Sequence, residues 1–143
     1  MPNEHRGLIN ANHAIRIARP SLNLEAAERF YVDGLGLSVL FKKDGNATGE
    51  PHDLLMVGPD GGRWHLELTV AVTEADAVTP TPTPEDLLVI YLAEPVSSEV
   101  IKRAVAYGGT VVASNNPYWD IGGVTIDDPD GYRVVLTQRS WGP

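Results

Sequence analysis

The sequence predicts an α+β fold built from two copies of a β-α-β-β-β unit. Each half of the chain contains one strand, one amphipathic helix and three further strands, and a proline-rich segment separates the halves. Both halves also contain a Pro-Asp-Gly turn, at 59–61 and 129–131, before a strand that includes Leu-Thr. We therefore divide one predicted domain, residues 14–139, into module 1 (14–70), a linker (71–83) and module 2 (84–139).

Module 1 is predicted to begin with a strand, because Ile15 and Ile17 alternate with a polar residue until Pro20 interrupts the pattern. Asn23 can cap the following helix, in which apolar residues recur at helical spacing up to Gly34. Segments rich in turn-forming residues separate three more apolar runs. We predict these strands at 37–41, 54–57 and 64–70.

Module 2 follows a run of three Thr-Pro pairs at 79–84, whose prolines exclude a helix or a central strand. Ser97 or Ser98 can cap its helix, which ends before the glycine pair at 108–109. The strands of module 2 are predicted at 87–93, 110–113, 123–126 and 132–138.

The composition excludes several classes of protein. With 143 residues, 43% of them hydrophobic, the chain can bury a core without disulfides or a structural metal. Its net charge of −8 opposes binding to nucleic acid. The absence of cysteine excludes thiol chemistry and suits the cytoplasm. No apolar run reaches the length of a membrane span and residues 1–12 lack a signal-peptide core, so we expect neither membrane insertion nor export.

Four segments occur in a fixed order at a moderately specific spacing. They are the first strand at 15–19, Phe30-Tyr31 before Leu35-Gly36-Leu37, the strand His65-Leu66-Glu67-Leu68, and Asp127-Asp128-Pro129-Asp130-Gly131 before the last strand. Together they resemble the vicinal oxygen chelate superfamily, which includes glyoxalases, bleomycin-resistance proteins and extradiol dioxygenases. The resemblance implies a curved mixed sheet around a cavity, helices on the outer face, and a homodimer.

The resemblance also implies a metal site in that cavity, where four side chains hold a divalent ion that binds two neighbouring oxygens of the substrate. Each of the four positions needs a residue that can donate a lone pair, such as His, Glu or Gln. Here the positions map to Arg16, Glu67, a residue within 87–89, and Val135. Only Glu67 can bind a metal, so we predict a protein without a metal or other cofactor.

Strand alternation predicts which other residues face the cavity, because residues two apart point to the same side of a sheet. The predicted set is Arg16, Arg63, His65, Glu67, Thr69, Arg133, Val135 and Thr137. We expect Arg16 and Glu67 to form an ion pair near the place where relatives hold a metal, because a buried charge is unfavourable without a partner. Alternatively, the mouth of the cavity is wet and both side chains are solvated.

Other residues have both a functional and a structural interpretation. His65 could be a general base or a metal ligand, and His52 could supply a second nitrogen, but either could be an ordinary hydrogen-bonded side chain. Tyr118 and Trp119 lie in the loop before the last hairpin. They could form a wall against a ligand, or they could be a structural plug or a dimer contact.

Three functions are compatible with these residues. The first is a metal-independent small-molecule-binding protein that sequesters an antibiotic-like or aromatic ligand. Its predicted ligand-binding residues are Arg16, Arg63, His65, Glu67, Tyr118, Trp119, Arg133 and Val135. The second is a glyoxalase-like or dioxygenase-like enzyme, either with a divergent metal site built from His52, His65 and Glu67 or with metal-free acid–base chemistry on Glu67. The third is a dimeric accessory subunit without chemistry of its own.

Overall fold

The computed structural model describes residues 7–142 and contains two four-stranded sheets. The strands of module 1 are β1 (Ile15–Pro20), β2 (Ser38–Lys43), β3 (His52–Gly58) and β4 (Trp64–Ala71), in the order β1-β4-β3-β2. Those of module 2 are β5 (Leu87–Tyr91), β6 (Thr110–Val112), β7 (Gly123–Asp127) and β8 (Arg133–Thr137), in the order β5-β8-β7-β6. In each sheet the first and last strands of the module pair in parallel and the other pairs are antiparallel. The predicted α+β fold with two β-α-β-β-β modules is confirmed.

The helices start at predicted caps. The Asn23 side chain accepts a hydrogen bond from the main-chain N–H of Ala26 at 3.0 Å, at the start of α1 (Leu24–Glu28). This helix continues as a π-helical turn over Arg29–Gly34. A short helix, α2 (Gly45–Thr48), forms between β2 and β3, and Ser97 caps α3 (Ser98–Ala106). Within residues 7–142, no helix is long and apolar enough to cross a membrane.

Residues 1–6 and 143 lie outside the described part of the chain. The expectation that residues 1–12 lack a signal-peptide core therefore falls partly on residues whose structure is not described.

The helices of the two modules pack against each other, and one core contains residues of both helices and both sheets. Phe30 and Tyr31 at the end of the first helix are fully buried, together with Leu66 of β4 and Val134 of β8. The predicted alternation in β4 and β8 is therefore confirmed, because these strand residues face the helices. A Cβ added at Gly34 would lie 3.4 Å from the Cα of Ala104 on α3, so the glycine permits a close approach of the two helices.

The Asp-Pro-Asp-Gly turn before β8 links the modules through hydrogen bonds. The Tyr31 hydroxyl donates to Asp128 at 2.5 Å, and Asp128 is almost completely buried. The Ser21 hydroxyl and the main-chain N–H of Leu22 donate to Asp130 at 2.6 and 2.8 Å. Burial raises the pKa of Asp128. Burial and the adjacent Asp128 carboxylate raise the pKa of Tyr31 well above its usual value.

Candidate functional site

Arg16 lies on the side of the module 1 sheet that faces away from the helices, a surface that we term the open face. Its Nε donates to Nε2 of His65 at 2.9 Å, and its Nη1 lies 3.3 Å from Oε2 of Glu67. Its Nη2 donates a weak hydrogen bond to Sδ of Met56 at 3.8 Å. The predicted ion pair between Arg16 and Glu67 is therefore present.

The members of this cluster differ in exposure. The Arg16 side chain is 51% exposed, because β1 is an edge strand, whereas the Glu67 side chain is 18% exposed. The pair is thus less buried than we expected from the sequence, and Glu67 is the less exposed partner. His65 accepts the hydrogen bond from Arg16 through Nε2.

Other residues extend the open face. Arg63 donates to the main-chain carbonyl of Asn12 at 2.8 Å, and its own carbonyl accepts from Ile15, so the pairing with β1 continues past the start of β4. Met56 lies directly opposite Glu67, and Phe41 lies opposite Met56. Sequence alone does not identify Phe41 as part of this face, because a bulge between Val39 and Phe41 changes the alternation of β2.

The strand register identifies the one position of the implied metal site that the sequence left uncertain, within residues 87–89. In module 1, Arg16 pairs with the residue two before Glu67, and in module 2, Leu87 pairs with the residue two before Val135. Leu87 therefore corresponds to Arg16, which resolves the uncertainty within 87–89. Arg16, Glu67, Leu87 and Val135 together offer one metal-binding side chain, so these residues do not fit a divalent ion.

The alternative metal site is not assembled either. His52 pairs with Ala71, which lies four residues beyond Glu67 on β4 and therefore about 13 Å away along the strand. Within residues 7–142 no group of three or more His, Cys, Asp or Glu side chains is placed to hold a metal ion. His65 and Glu67 are brought together on the open face, and His52 is not brought to them.

The predicted aromatic residues form a second cluster, on module 2. The ring of Trp119 lies 4.9 Å from that of Tyr118 and 6.5 Å from that of Tyr91, and the Trp141 ring lies 5.9 Å from Tyr91. The Arg139 guanidinium lies 4.1 Å from the centre of the Tyr118 ring. Sequence reasoning missed Tyr91 and Trp141, since neither belongs to the loop that carries the adjacent aromatics.

This aromatic cluster includes Tyr91, which lies on the face of module 2 that corresponds to the open face. Tyr91 pairs with Thr137, two residues beyond Val135, so Tyr91 and Val135 point to the same side of the sheet. Val135, Thr125 and Thr137 on this side are almost completely buried. Arg133 instead pairs with Asp127 at 3.2 Å. Among residues 7–142, no hydrogen bond, ion pair or aromatic contact joins the two clusters.

Two cavities lie away from both clusters. One of about 480 Å³ lies beside α1 and is lined in part by Glu25, Lys42 and Asp53. The other, of about 460 Å³, lies between the modules and is lined in part by Arg19 and Tyr132. Neither includes a residue that we predicted as part of the ligand site.

Comparison with known proteins identifies a family for both modules. Residues 15–69 match the YycE-like N-terminal domain and residues 85–138 match the YycE-like C-terminal domain. YycE of Bacillus subtilis strain 168, described as an uncharacterized protein, is 41% identical over 124 residues, which are 85% of each chain. A crystal structure of a YycE protein of unknown function from Bacillus subtilis aligns with a TM-score of 0.74 and 38% identity over 91% of each chain.

More distant structures share the fold. TnmS3, an antibiotic binding protein from Streptomyces sp. CB03234, is 25% identical with a TM-score of 0.58, over 90% of this chain and 96% of TnmS3. Glyoxalase I of Leishmania major is 20% identical with a TM-score of 0.62, over 86% of this chain and 84% of the enzyme. The likeness to glyoxalase I supports the fold alone. This chain therefore belongs to the YycE-like family and has the fold of the glyoxalase/bleomycin-resistance, or vicinal oxygen chelate, superfamily.

Proposed function

We propose that this chain is a metal-independent small-molecule-binding protein whose ligand lies on the open face of module 1. The observation that carries the proposal is the position of the Arg16 guanidinium, 2.9 Å from His65 and 3.3 Å from Glu67. A permanent cation at this position repels a divalent ion and engages the only side chain of the four that could bind one. The site therefore favours direct contacts between protein and ligand.

The composition of the open face supports binding of an organic molecule. Arg16 and His65 offer hydrogen-bond donors, and the neighbouring Met56 and Phe41 offer apolar contacts. Such a mixture of apolar surface and a few oriented polar groups is typical of small-molecule sites. The description of TnmS3 as an antibiotic binding protein supports a sequestering role within this superfamily.

We further propose that the protein is a homodimer that acts in the cytoplasm. Ile15 and Ile17 on β1 and Trp141 near the C-terminus are exposed apolar residues, which a second copy could cover. The cytoplasmic location rests on the absence of cysteine from the sequence.

Elemental analysis of untagged protein, followed by thermal-shift titrations with divalent ions, tests the metal-independent function. We expect no stoichiometric metal and no rise in melting temperature with Mg²⁺, Mn²⁺, Fe²⁺, Ni²⁺ or Zn²⁺. Arg16→His is a matched control, because it places a third donor beside His65 and Glu67 and should gain a response to Zn²⁺. One equivalent of bound metal in the wild-type protein would contradict the proposal.

An enzymatic alternative is supported by one observation: Glu67 and His65 both contact Arg16 on the open face. Glu67 could then act as a general base without a metal. The test measures whether the protein, in heavy water, exchanges the α-protons of small ketones for deuterium. Exchange catalysed by the wild-type protein but not by Glu67→Gln would favour the enzyme, and we expect none.

A further inference from the structure

We infer that the ligand is an organic acid whose carboxylate binds Arg16 and whose apolar part covers Met56 and Phe41. This inference rests on the proposed function and adds the chemical class of the ligand. It follows from the free hydrogen-bond donors of Arg16, the local balance of charge, and the apolar side chains beside the ion pair.

The Arg16 guanidinium retains donors that point at no protein group. It carries five N–H bonds, and within residues 7–142 each of its three nitrogens contacts one partner: His65, Glu67 or Met56. Hydrogen bonds to His65 and Met56 use two of the five, and the Glu67 contact engages at most one more, so at least two N–H bonds remain on the terminal nitrogens. Two N–H bonds on one planar group match the two oxygens of a carboxylate.

The charges on the open face favour an anion. Next to the guanidinium, Arg16 and Arg63 are positive, Glu67 is negative, and His65 accepts a hydrogen bond from Arg16. Arg63 donates to the neutral carbonyl of Asn12, and in the described part of the chain no ion pair offsets its charge. The immediate surroundings of Arg16 thus carry a net positive charge in a protein whose net charge is −8, whereas farther along the face Lys43 pairs with Glu50 and Asp76 lies beside His52 and Thr69. Local attraction decides the sign of the ligand, because distant charges are screened by salt.

The partners of Arg16 fix its orientation toward the ligand. Glu67 is less exposed than Arg16, so an approaching anion meets the guanidinium before the carboxylate. The hydrogen bond to His65 restricts the rotamers of Arg16 before the ligand arrives, which reduces the entropy lost on binding.

The apolar part of the site sets the size of the ligand. Glu67, Met56 and Phe41 are cross-strand neighbours on β4, β3 and β2, so Phe41 lies about 10 Å from the line of β4. The Phe41 side chain is exposed, although it is aromatic. A ligand with a carboxylate at one end and one or two aromatic rings at the other spans this distance.

Three probes of one shape test the inference: para-phenylbenzoate, para-phenylbenzamide and para-phenylbenzylammonium. Their dissociation constants are measured with the full chain by ¹H–¹⁵N NMR, which also reports the Arg16 Nε–H and the main-chain amides of Met56 and Phe41. We expect the carboxylate to bind at least tenfold more tightly than the amide and to perturb all three signals. The ammonium probe should bind most weakly.

Two variants separate the charge effect from simple packing. Arg16→Met should raise the dissociation constant of the carboxylate probe at least tenfold and leave that of the amide probe unchanged. Glu67→Gln should lower the dissociation constant of the carboxylate probe severalfold, because it removes the negative charge beside Arg16. Arg29→Met, at an exposed position on the helix, is the matched control and should change neither constant. The melting temperature of each variant shows whether it is folded.

The outcomes distinguish this inference from the proposed function. If the three probes bind the open face with equal affinity, the ligand is not selected as an acid, and the inference fails while the proposed function stands. If no probe perturbs the open face at millimolar concentration, both fail. A weaker carboxylate interaction in Glu67→Gln would also overturn the inference, because it would show that Glu67 contributes favourably to anion binding.

Discussion

Equivalent positions in the two modules have opposite physical character. Arg16 and Glu67 of module 1 correspond to Leu87 and Val135 of module 2. The first pair is charged and in contact with solvent, whereas Val135 is fully buried. One scaffold therefore supports a charged, solvent-exposed face in one copy and a buried layer of valine and threonine in the other, so the side chains rather than the fold decide the character of each face.

The loop before the third strand of each module accounts for this difference. In module 1 it forms α2, where the main-chain N–H of Gly45 donates to Asp53 at 2.7 Å. A Cβ at Gly45 would lie 2.5 Å from the carbonyl oxygen of His52, so the helix packs closely against β3. In module 2 the same connection contains a 3₁₀ turn over Pro117–Asp120, which carries Trp119 across the sheet. The equivalent segment of module 1, α2, instead packs against β3.

The largest expected effect is the loss of stability when module 2 receives the glutamate of module 1. Val135→Glu places a carboxylate in a fully buried apolar site and should lower the free energy of unfolding by about 3–5 kcal/mol. The reciprocal variant Glu67→Val should change it by less than about 1 kcal/mol, because Glu67 is partly solvated and Arg16 half-exposed. Urea unfolding measures both. Equal effects would show that the two faces are buried to the same degree.

Removal of Trp119 should have the next largest effect. Trp119→Ala exposes the buried layer under the aromatic cluster and should lower the free energy of unfolding by about 2–3 kcal/mol, less than for a fully buried tryptophan because Trp119 is partly exposed. If Trp119 is a structural plug, binding of para-phenylbenzoate to the open face stays unchanged. Loss of that binding with stability retained would instead identify Trp119 as part of the ligand wall.

A smaller effect is expected at the junction of the modules. Tyr31→Phe removes the hydrogen bond to Asp128 and should lower the free energy of unfolding by about 1–2 kcal/mol at neutral pH. The raised pKa of Tyr31 means that the unfolded chain loses this proton first, so the wild-type protein should lose stability as the pH rises above about 10. The phenylalanine variant should lack that part of the alkaline loss. An identical alkaline profile would contradict the assignment.

The raised pKa of Asp128 predicts a change in stability between acidic and neutral pH, whereas that of Tyr31 acts at alkaline pH. Because burial raises the pKa of Asp128, its contribution to stability is complete below about pH 4 and is lost as the pH rises through the raised pKa. Asp128→Asn cannot ionise, so its stability relative to the wild-type protein should increase as the pH rises from about 4 to neutrality. Thermal unfolding of both proteins across this range measures the difference, and a constant difference would show that the pKa of Asp128 is the same in the folded and unfolded states.

The smallest effect on stability is expected for Arg16→Met. The Arg16 side chain is half-exposed, and exposed ion pairs contribute only about 0–1 kcal/mol. Urea unfolding should therefore give nearly the wild-type value. A loss of several kcal/mol would show that the cluster on the open face stabilises module 1 rather than serving a ligand.

Much of the fold could be predicted from the sequence because its signals are local. Asn23 and Ser97 mark the starts of helices, because each side chain accepts a hydrogen bond from the main-chain N–H three positions later. Alternation within β4 places Glu67 and Leu68 on opposite faces. The Arg16–Glu67 pair was predictable because alternation sets the side to which each residue points, and because the resemblance to the vicinal oxygen chelate superfamily implied that their strands are neighbours.

The rest depends on contacts or distortions that no local pattern encodes. The bulge in β2 reverses the alternation between Val39 and Phe41, so the apolar edge of the open face was not foreseen. Trp141 follows the last strand without a periodic signal, and only the fold brings it to Tyr91. Tyr118 and Trp119 were predicted in one ligand site with Arg16 and Glu67, but they belong to a separate cluster on module 2. The path of the loop that carries them cannot be read from its composition.

The hydrogen bonds at the module junction also constrain when the protein can finish folding during synthesis. Tyr31 and Ser21 pair with residues 97 and 109 positions later in the chain. At about 5–20 residues per second, the ribosome needs roughly 5–20 s to make that intervening stretch. Throughout this interval the Tyr31 hydroxyl lacks the Asp128 carboxylate, and for most of it the first helix also lacks the helix of module 2 to pack against. Nascent chains that stop before the hairpin of β7 and β8 should therefore remain open to proteases and chaperones, and this hairpin should be the element that closes the core.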